Sequence, residues 1–397
     1  MCVNKNGSFY FKLNSFFIIC LLLSSACLQA QQKPVHYKWK QFCMGVDLSF
    51  VNEIDDYGGV YKDNGKKGDA FKILHKYGAN TVRVRLWHQP DWIAKVTGGK
   101  LYSDIADVEK TMRRAKALGM AVNLDLHYGD DWVDPNQQPT PDAWKNLSLD
   151  ILADTVYNYT LNVLKYFKQK NLVPEMIQVG NETNFGMLWP VGKIDSAGNG
   201  WDKFGILLNK GIKAVRDFSK TSAIKPKIIL HVAQLQFAEQ WIKDITTKAS
   251  VTDFDILGLS HYYKWSTVDS LKDVGRIIAT IRKHYKQQVM IVETAFPFTM
   301  QSADSYGNLF GGDIKTISGF EVSKEGQLKY FVELTQQVIN AGGSGIMYWE
   351  PAWITSPMKD RWGQGSSWEN ACLFDFEGNT LPAIKFMQHP YIFKKKK

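Results

Sequence analysis

The chain is short of the residues that carry several familiar chemistries. It has five cysteines, and Cys2, Cys20 and Cys27 fall in the first thirty residues, so Cys43 and Cys372 alone remain for the body of the protein. No Cys or His cluster has the spacing of a zinc site. Two cysteines near opposite ends could bridge in an oxidising compartment, but two buried free thiols are the simpler expectation. A second long apolar run is missing, and with it a case for a membrane-spanning protein. No basic stripe interleaved with aromatics is present, which sets nucleic-acid binding aside. "GVDLSFVNEID", after the first apolar segment, holds no glycine-rich phosphate loop, which argues against a doubly wound nucleotide-binding sheet. No domain linker is visible either.

Aromatics, by contrast, are abundant: 13 Trp, 17 Tyr and 22 Phe in 397 residues. Trp and Tyr pair an apolar body with a polar tip, and such rings suit partly apolar ligands such as sugars; an aromatic-rich core is the alternative. The first thirty residues read as an export signal. Lys5 and Lys12 precede the apolar "LNSFFIICLLLSSACLQA". Cleavage after Ala30 is the favoured exit; "LSSAC" offers a loose lipobox that would leave Cys27 as a lipid anchor. Residues 31–41 then read as an N-terminal extension, 42–393 as one large domain and 394–397 as a basic tail, a solvated end.

Eight apolar, β-branched segments recur at even spacing: 42–49, 80–87, 120–128, 176–182, 227–233, 255–263, 289–295 and 345–351. Amphipathic stretches fill most gaps, among them "SDIADVEKTMRRAKALG", with Ser103 as its expected N-cap and Gly119 as its C′ glycine. Strand alternating with helix eight times predicts an α/β fold, a single-domain (β/α)8 TIM barrel. Long βα loops are expected after strands one, three and eight.

What ends those strands is the informative feature. Arg83 lies in strand two, Asp125 and His127 in strand three, and Asn181 and Glu182 end strand four. His261 and Tyr262 end strand six, Glu293 strand seven, and Trp349 strand eight. In a barrel all of these meet at one mouth, and strands four and seven face each other across it. Two opposed carboxylates suit glycoside hydrolysis, one protonating the leaving oxygen while the other attacks or activates water. Each has a plainer reading: a carboxylate at a helix N-terminus for Glu182 or Glu293, a buried ion pair for Arg83, a core histidine for His127 with Asp125 as its partner.

Four runs carry a narrower likeness: "DLHYGDDWVDPNQQPTPDAW", "QVGNETNFGMLWP", "VETAFPFT" and "YWEPAWI". With them the chain resembles glycoside hydrolase family 53, the arabinogalactan endo-β-1,4-galactanases, over nearly all of its length past the leader. The resemblance implies Glu182 as acid/base, Glu293 as nucleophile and Arg83 as the cation that orients it. It implies Asn181 on the sugar 2-hydroxyl, His127 with Tyr262 or His261 at the cleaved sugar, and Trp349, with Trp368 beyond it, against the ring. The implied substrate is β-1,4-galactan, cleaved by a retaining mechanism with no required cofactor, by an exported monomer. A structural calcium ion is implied at Asp304, the Tyr306 carbonyl and Asn308, although Ser302 stands where a further acid would be expected. A β-mannanase or cellulase of the same clan is the nearest rival, and a noncatalytic surface glycan-binding protein the next.

Overall fold

A computed structural model describes residues 33–312 and 317–393. The expected export signal, Cys27 and the basic tail lie outside the described residues. Contacts divide the chain at Pro34, and the unit beginning at Val35 holds every element below.

Each of the eight apolar segments is a strand. They are β1 (Cys43–Asp47), β2 (Thr81–Leu86), β3 (Ala121–Leu126), β4 (Met176–Val179), β5 (Lys227–Ala233), β6 (Ile256–Ser260), β7 (Gln288–Glu293) and β8 (Gly345–Tyr348). All neighbours pair in parallel and β8 returns to β1, closing an eight-stranded barrel. Buried on both faces, such strands read as unbroken apolar runs, which is why they stand out in the sequence.

Period-two alternation divides the interior. At the bottom, Cys43, Met176, Ile229, Ile256, Met290 and Met347 form an apolar plug. Gly45 makes room for it, since a Cβ there would lie 2.4 Å from Met347 Cγ. One step up, the same inward positions carry Asp47, Arg83, Asp125, Gln178, His231 and Ser260, all buried. The register sets Asp47 beside Arg83 and Asp125 beside Gln178. Between β6 and β7 a bulge at Leu259/Ser260 shifts the register, so that Ser260 pairs with Glu293. A bulge re-aims the side chain it carries.

The helices pack outside. Helix Ile105–Ala117 starts one residue later than expected: Asp104 is its cap, accepting from the Asp107 N–H at 3.0 Å. Ser103 instead adopts φ 56° and donates its N–H to Asp107 Oδ2. Gly119 ends that helix at φ 73°, as expected. The loops after β4 and β7 are also long. The first carries a small hairpin, Gly186–Met187 against Gly192–Lys193, that no two-residue pattern could announce. Among the described residues no helix is long and apolar enough to cross a membrane, and Cys43 and Cys372 are buried free thiols.

Candidate active site

Glu182 follows β4 through Gly180 and Asn181, in the left-handed region at φ 47°. A non-glycine residue there is uncommon and strained, and such strain collects at functional sites. Gly180, at φ 82°, opens the turn, and a Cβ on it would meet Thr183 Cγ2 at 2.8 Å. Glu293 ends β7 on the opposite side. Oxygens of the two carboxylates, with a nitrogen of His231, lie within 4.8 Å of one another.

Glu293 is clamped at both oxygens. Arg83 Nη2 reaches Oε1 at 2.8 Å and the Tyr262 hydroxyl donates to Oε2 at 2.9 Å. Arg83 is buried and also meets Asp47 at 2.6 Å, Asp125 at 2.7 Å and Asn181 Oδ1 at 2.9 Å. It is therefore both an ion pair inside the barrel and the cation beside Glu293. Desolvation raises the pKa of both glutamates, Glu182 the further, because Glu293 adds like-charge repulsion to it while Arg83 and Tyr262 oppose the rise at Glu293. Arg83 and Tyr262 thus favour the ion at Glu293 over the ion at Glu182.

The structure gathers most of the expected residues at this mouth, in different capacities. Tyr262 touches Glu293, whereas neither ring nitrogen of buried His261 meets a partner, and burial lowers its pKa to about 4. His127 accepts the Trp87 indole N–H on Nδ1 at 3.1 Å and donates Nε2–H to Asp125 at 2.9 Å. Both of its nitrogens are spent on protein. Asn181 gives one N–H to the Val133 carbonyl at 2.9 Å. Trp349 is half-buried and Trp368 lies edge-on behind it, centroids 4.6 Å apart, its indole N–H bonded to the Trp349 carbonyl. From Trp349 a line of rings runs outward through Trp132, Trp87 and Trp92 to exposed Trp362, at centroid spacings of 6.2, 5.2, 5.7 and 5.9 Å.

Sequence reasoning passed over Gln178, His231 and Ser260. Their signal was a polar residue inside an apolar strand, in "MIQV", "ILHV" and "LGLS", where an unpaired polar group is costly.

The expected calcium residues lie together in the loop after β7, but Asp304 is already satisfied by protein. It accepts from Tyr306 N at 2.8 Å, Ser366 N at 2.9 Å and Thr355 Oγ1 at 2.5 Å. Tyr306 gives its hydroxyl to Asp360, a contact that does not engage its carbonyl, the expected ligand. Among the described residues here, the buried side-chain oxygens without a partner are Asn308 Oδ1 and Glu369 Oε2, so backbone carbonyls would have to supply most of the six to eight oxygens that calcium takes. These residues do not by themselves fit a calcium cage.

A model of glycosyl hydrolase family 53 matches residues 43–387. The chain belongs to that family. It is 42% identical over 353 residues to the arabinogalactan endo-β-1,4-galactanase of Cellvibrio japonicus, covering 88% of this chain and 91% of the relative. An endo-β-1,4-galactanase of Bacillus subtilis is 31% identical, covering 90% and 88%. The family 53 catalytic domain of Ignisphaera aggregans superposes with a TM-score of 0.80 at 34% identity, over 91% of this chain and 99% of that one. The family 53 chain is thus a glycoside hydrolase on a TIM barrel, and its matched span holds both glutamates.

Proposed function

We propose that this hydrolase is an exported, retaining endo-β-1,4-galactanase acting on the β-1,4-galactan of type I arabinogalactan. The observation that carries the reading is the facing pair, Glu182 and Glu293, with carboxylate oxygens within 4.8 Å. Retaining enzymes hold their carboxyls about 5–5.5 Å apart and inverting ones roughly 6.5–9.5 Å, to leave room for water. Oxygens within 4.8 Å leave little room for a water between the two carboxylates, which supports direct attack. Identity to galactanases supports the choice of sugar, which no distance in the site encodes.

In the first step Glu293 attacks the anomeric carbon while Glu182 gives its proton to the departing glycosidic oxygen. Arg83 and Tyr262 hold Glu293 ionised and aimed. In the second, Glu182 takes a proton from water as the hydroxide oxygen displaces Glu293. Asn181 would bond the 2-hydroxyl, and half-buried Trp349 would stack on the sugar at the cleavage point, with buried Trp87 bracing the rings behind it. The two carboxylates supply the acid, base and nucleophile, so no cofactor is needed. Chelation should therefore leave turnover unchanged, and any structural calcium would show as a fall in Tm alone. Export by leader cleavage, a lipid anchor at Cys27 and a monomeric state complete the proposal.

Potato galactan assayed beside mannan and cellulose tests it. Mixed galacto-oligosaccharides appearing early, with the anomeric configuration retained, are expected. Release from mannan or cellulose alone would overturn the substrate, a lone monosaccharide product the endo mode, and binding without cleavage the enzyme itself.

A further inference from the structure

The reaction so far leaves one hydrogen-bonded chain unused. Ser260 Oγ lies 2.5 Å from Glu182 Oε1 and 2.8 Å from His231 Nε2, and His231 Nδ1 lies 2.9 Å from Asn181 Oδ1. His231 is fully buried, and burial, with the nearby Arg83 and His127, pushes its pKa well below 6.5. It is a neutral imidazole with one N–H, and the question is which nitrogen holds it.

Asn181 answers it. Its Nδ2 donates to the Val133 carbonyl, and its Oδ1 accepts from Arg83 Nη2 at 2.9 Å. Arginine can only donate, so the amide cannot be turned round. The atom facing His231 Nδ1 is an acceptor, and Nδ1 must carry the proton. Two other donors approach Nδ1. Gln178 Nε2 lies 3.0 Å away, with one proton on Asp125 Oδ1 at 2.7 Å and the other turned toward Asn181 Oδ1 at 3.2 Å, a weaker third donor to an oxygen that meets Arg83 Nη2 and His231 Nδ1 at 2.9 Å each. The Glu182 N–H, at 3.4 Å, is too long to compete. Bare Nε2 must then accept, and the hydroxyl of Ser260 is the donor it meets. Ser260 has one proton, so once this is given to His231 it offers Glu182 lone pairs only.

A hydroxyl beside a carboxylate ordinarily donates to it and favours the ion. Here the sign is reversed. We propose that His231, held in the Nδ1–H tautomer by Asn181, is a positioning residue that turns Ser260 into an acceptor and so keeps Glu182 protonated as the acid. This rests on Glu182 being the acid/base. The titratable and charged groups around the chain are Arg83 on β2, Asp125 on β3 with His127 just past its end, Asp134 in the loop after β3, Tyr262 after β6, and Glu293 on β7. When Glu182 has given its proton to the glycosidic oxygen, its carboxylate faces the Ser260 lone pairs. That contact is relieved when the attacking water returns a proton, so the chain favours the second half of the cycle.

Histidine labelled with 15N in the free wild-type enzyme reads the tautomer directly, with His231 identified by the signals lost in His231→Gln. An Nδ1–H tautomer is expected; an Nε2–H tautomer overturns the proposal. The pH profile of kcat/KM is the second readout, since its alkaline limb reports Glu182. Ser260→Ala removes the acceptor, so the limb should move down by about one pH unit, a tenfold stronger acid, and Ser260→Thr should restore it. A limb that stays or moves up marks Ser260 as an ordinary donor and overturns the proposal. The tautomer is measured without substrate, so Nδ1–H in an enzyme that cleaves another glycan but no galactan would overturn the proposed substrate and leave this inference standing, whereas Nδ1–H in a protein that cleaves nothing would overturn the role of Glu182 as the acid and this inference with it.

Discussion

Glu182 and Glu293 divide one task because their surroundings differ, not their chemistry. Glu293 has a guanidinium and a phenol at its oxygens, whereas Glu182 has a repelling carboxylate and a hydroxyl whose proton is committed elsewhere. Both pKa values are raised, Glu182 the further, so the productive state, with Glu293 ionised and Glu182 protonated, is populated between two macroscopic pKa values. The profile of kcat/KM should be a bell whose acid limb belongs to Glu293 and whose alkaline limb belongs to Glu182. Glu182→Gln should lower kcat on galactan about 10²–10⁴-fold and remove the alkaline limb; a variant that keeps that limb would displace Glu182 from its role. Arg83→Met should cost more than activity. Stripping the partner from buried carboxylates costs about 3–5 kcal/mol, so denaturant melts should show a loss of that order.

At the scale of elements, the strand ends place the chemistry and the loops extend it. Trp362 is exposed at the far end of the ring line that starts at Trp349. Trp362→Ala should therefore raise KM for long galactan several-fold and leave short oligosaccharides nearly unaffected, in steady-state kinetics on chains of defined length. The elements also show what a single sequence can disclose. The eight strands were legible because burial on both faces demands unbroken apolar runs. Glu182 and Glu293 were legible because a carboxylate ending such a run needs a reason. Gln178, His231 and Ser260 were not, since each sits inside its run and only the partners brought by neighbouring strands give it meaning. The helix cap at Asp104 rather than Ser103 was a choice between adjacent residues of equal propensity, decided by Asp107 drawing the Ser103 N–H. The Gly186–Lys193 hairpin and the ring line are products of tertiary packing, with no local period to betray them.

For the whole molecule, several acids are buried where ionisation is costly. Burial raises Glu53 to about 8 and Glu369 to about 6. Between the unfolded carboxylate value and these, the folded state holds more protons than the unfolded one. Stability is then complete at the acid end of that window and is lost as pH rises through it, at up to about 1.4 kcal/mol per pH unit for each such group. Melting temperature should fall from about pH 5 to 8, and Glu53→Gln should flatten the fall; an unchanged slope would mean that Glu53 ionises freely in the fold.

The cluster around Arg83 reaches further than the nucleophile it orients. One guanidinium faces Asp47, Asp125 and Glu293, so the floor of the mouth carries more acid than base and holds it where salt screens poorly. A neutral galactose unit crosses that field without penalty, while a uronic acid would bring its own charge against it. On the proposed function, the barrel would thereby pass over the acidic backbone of pectin and admit its neutral side chains. Oligogalacturonides should fail to inhibit even at low ionic strength, and KM for galactan should scarcely change with salt.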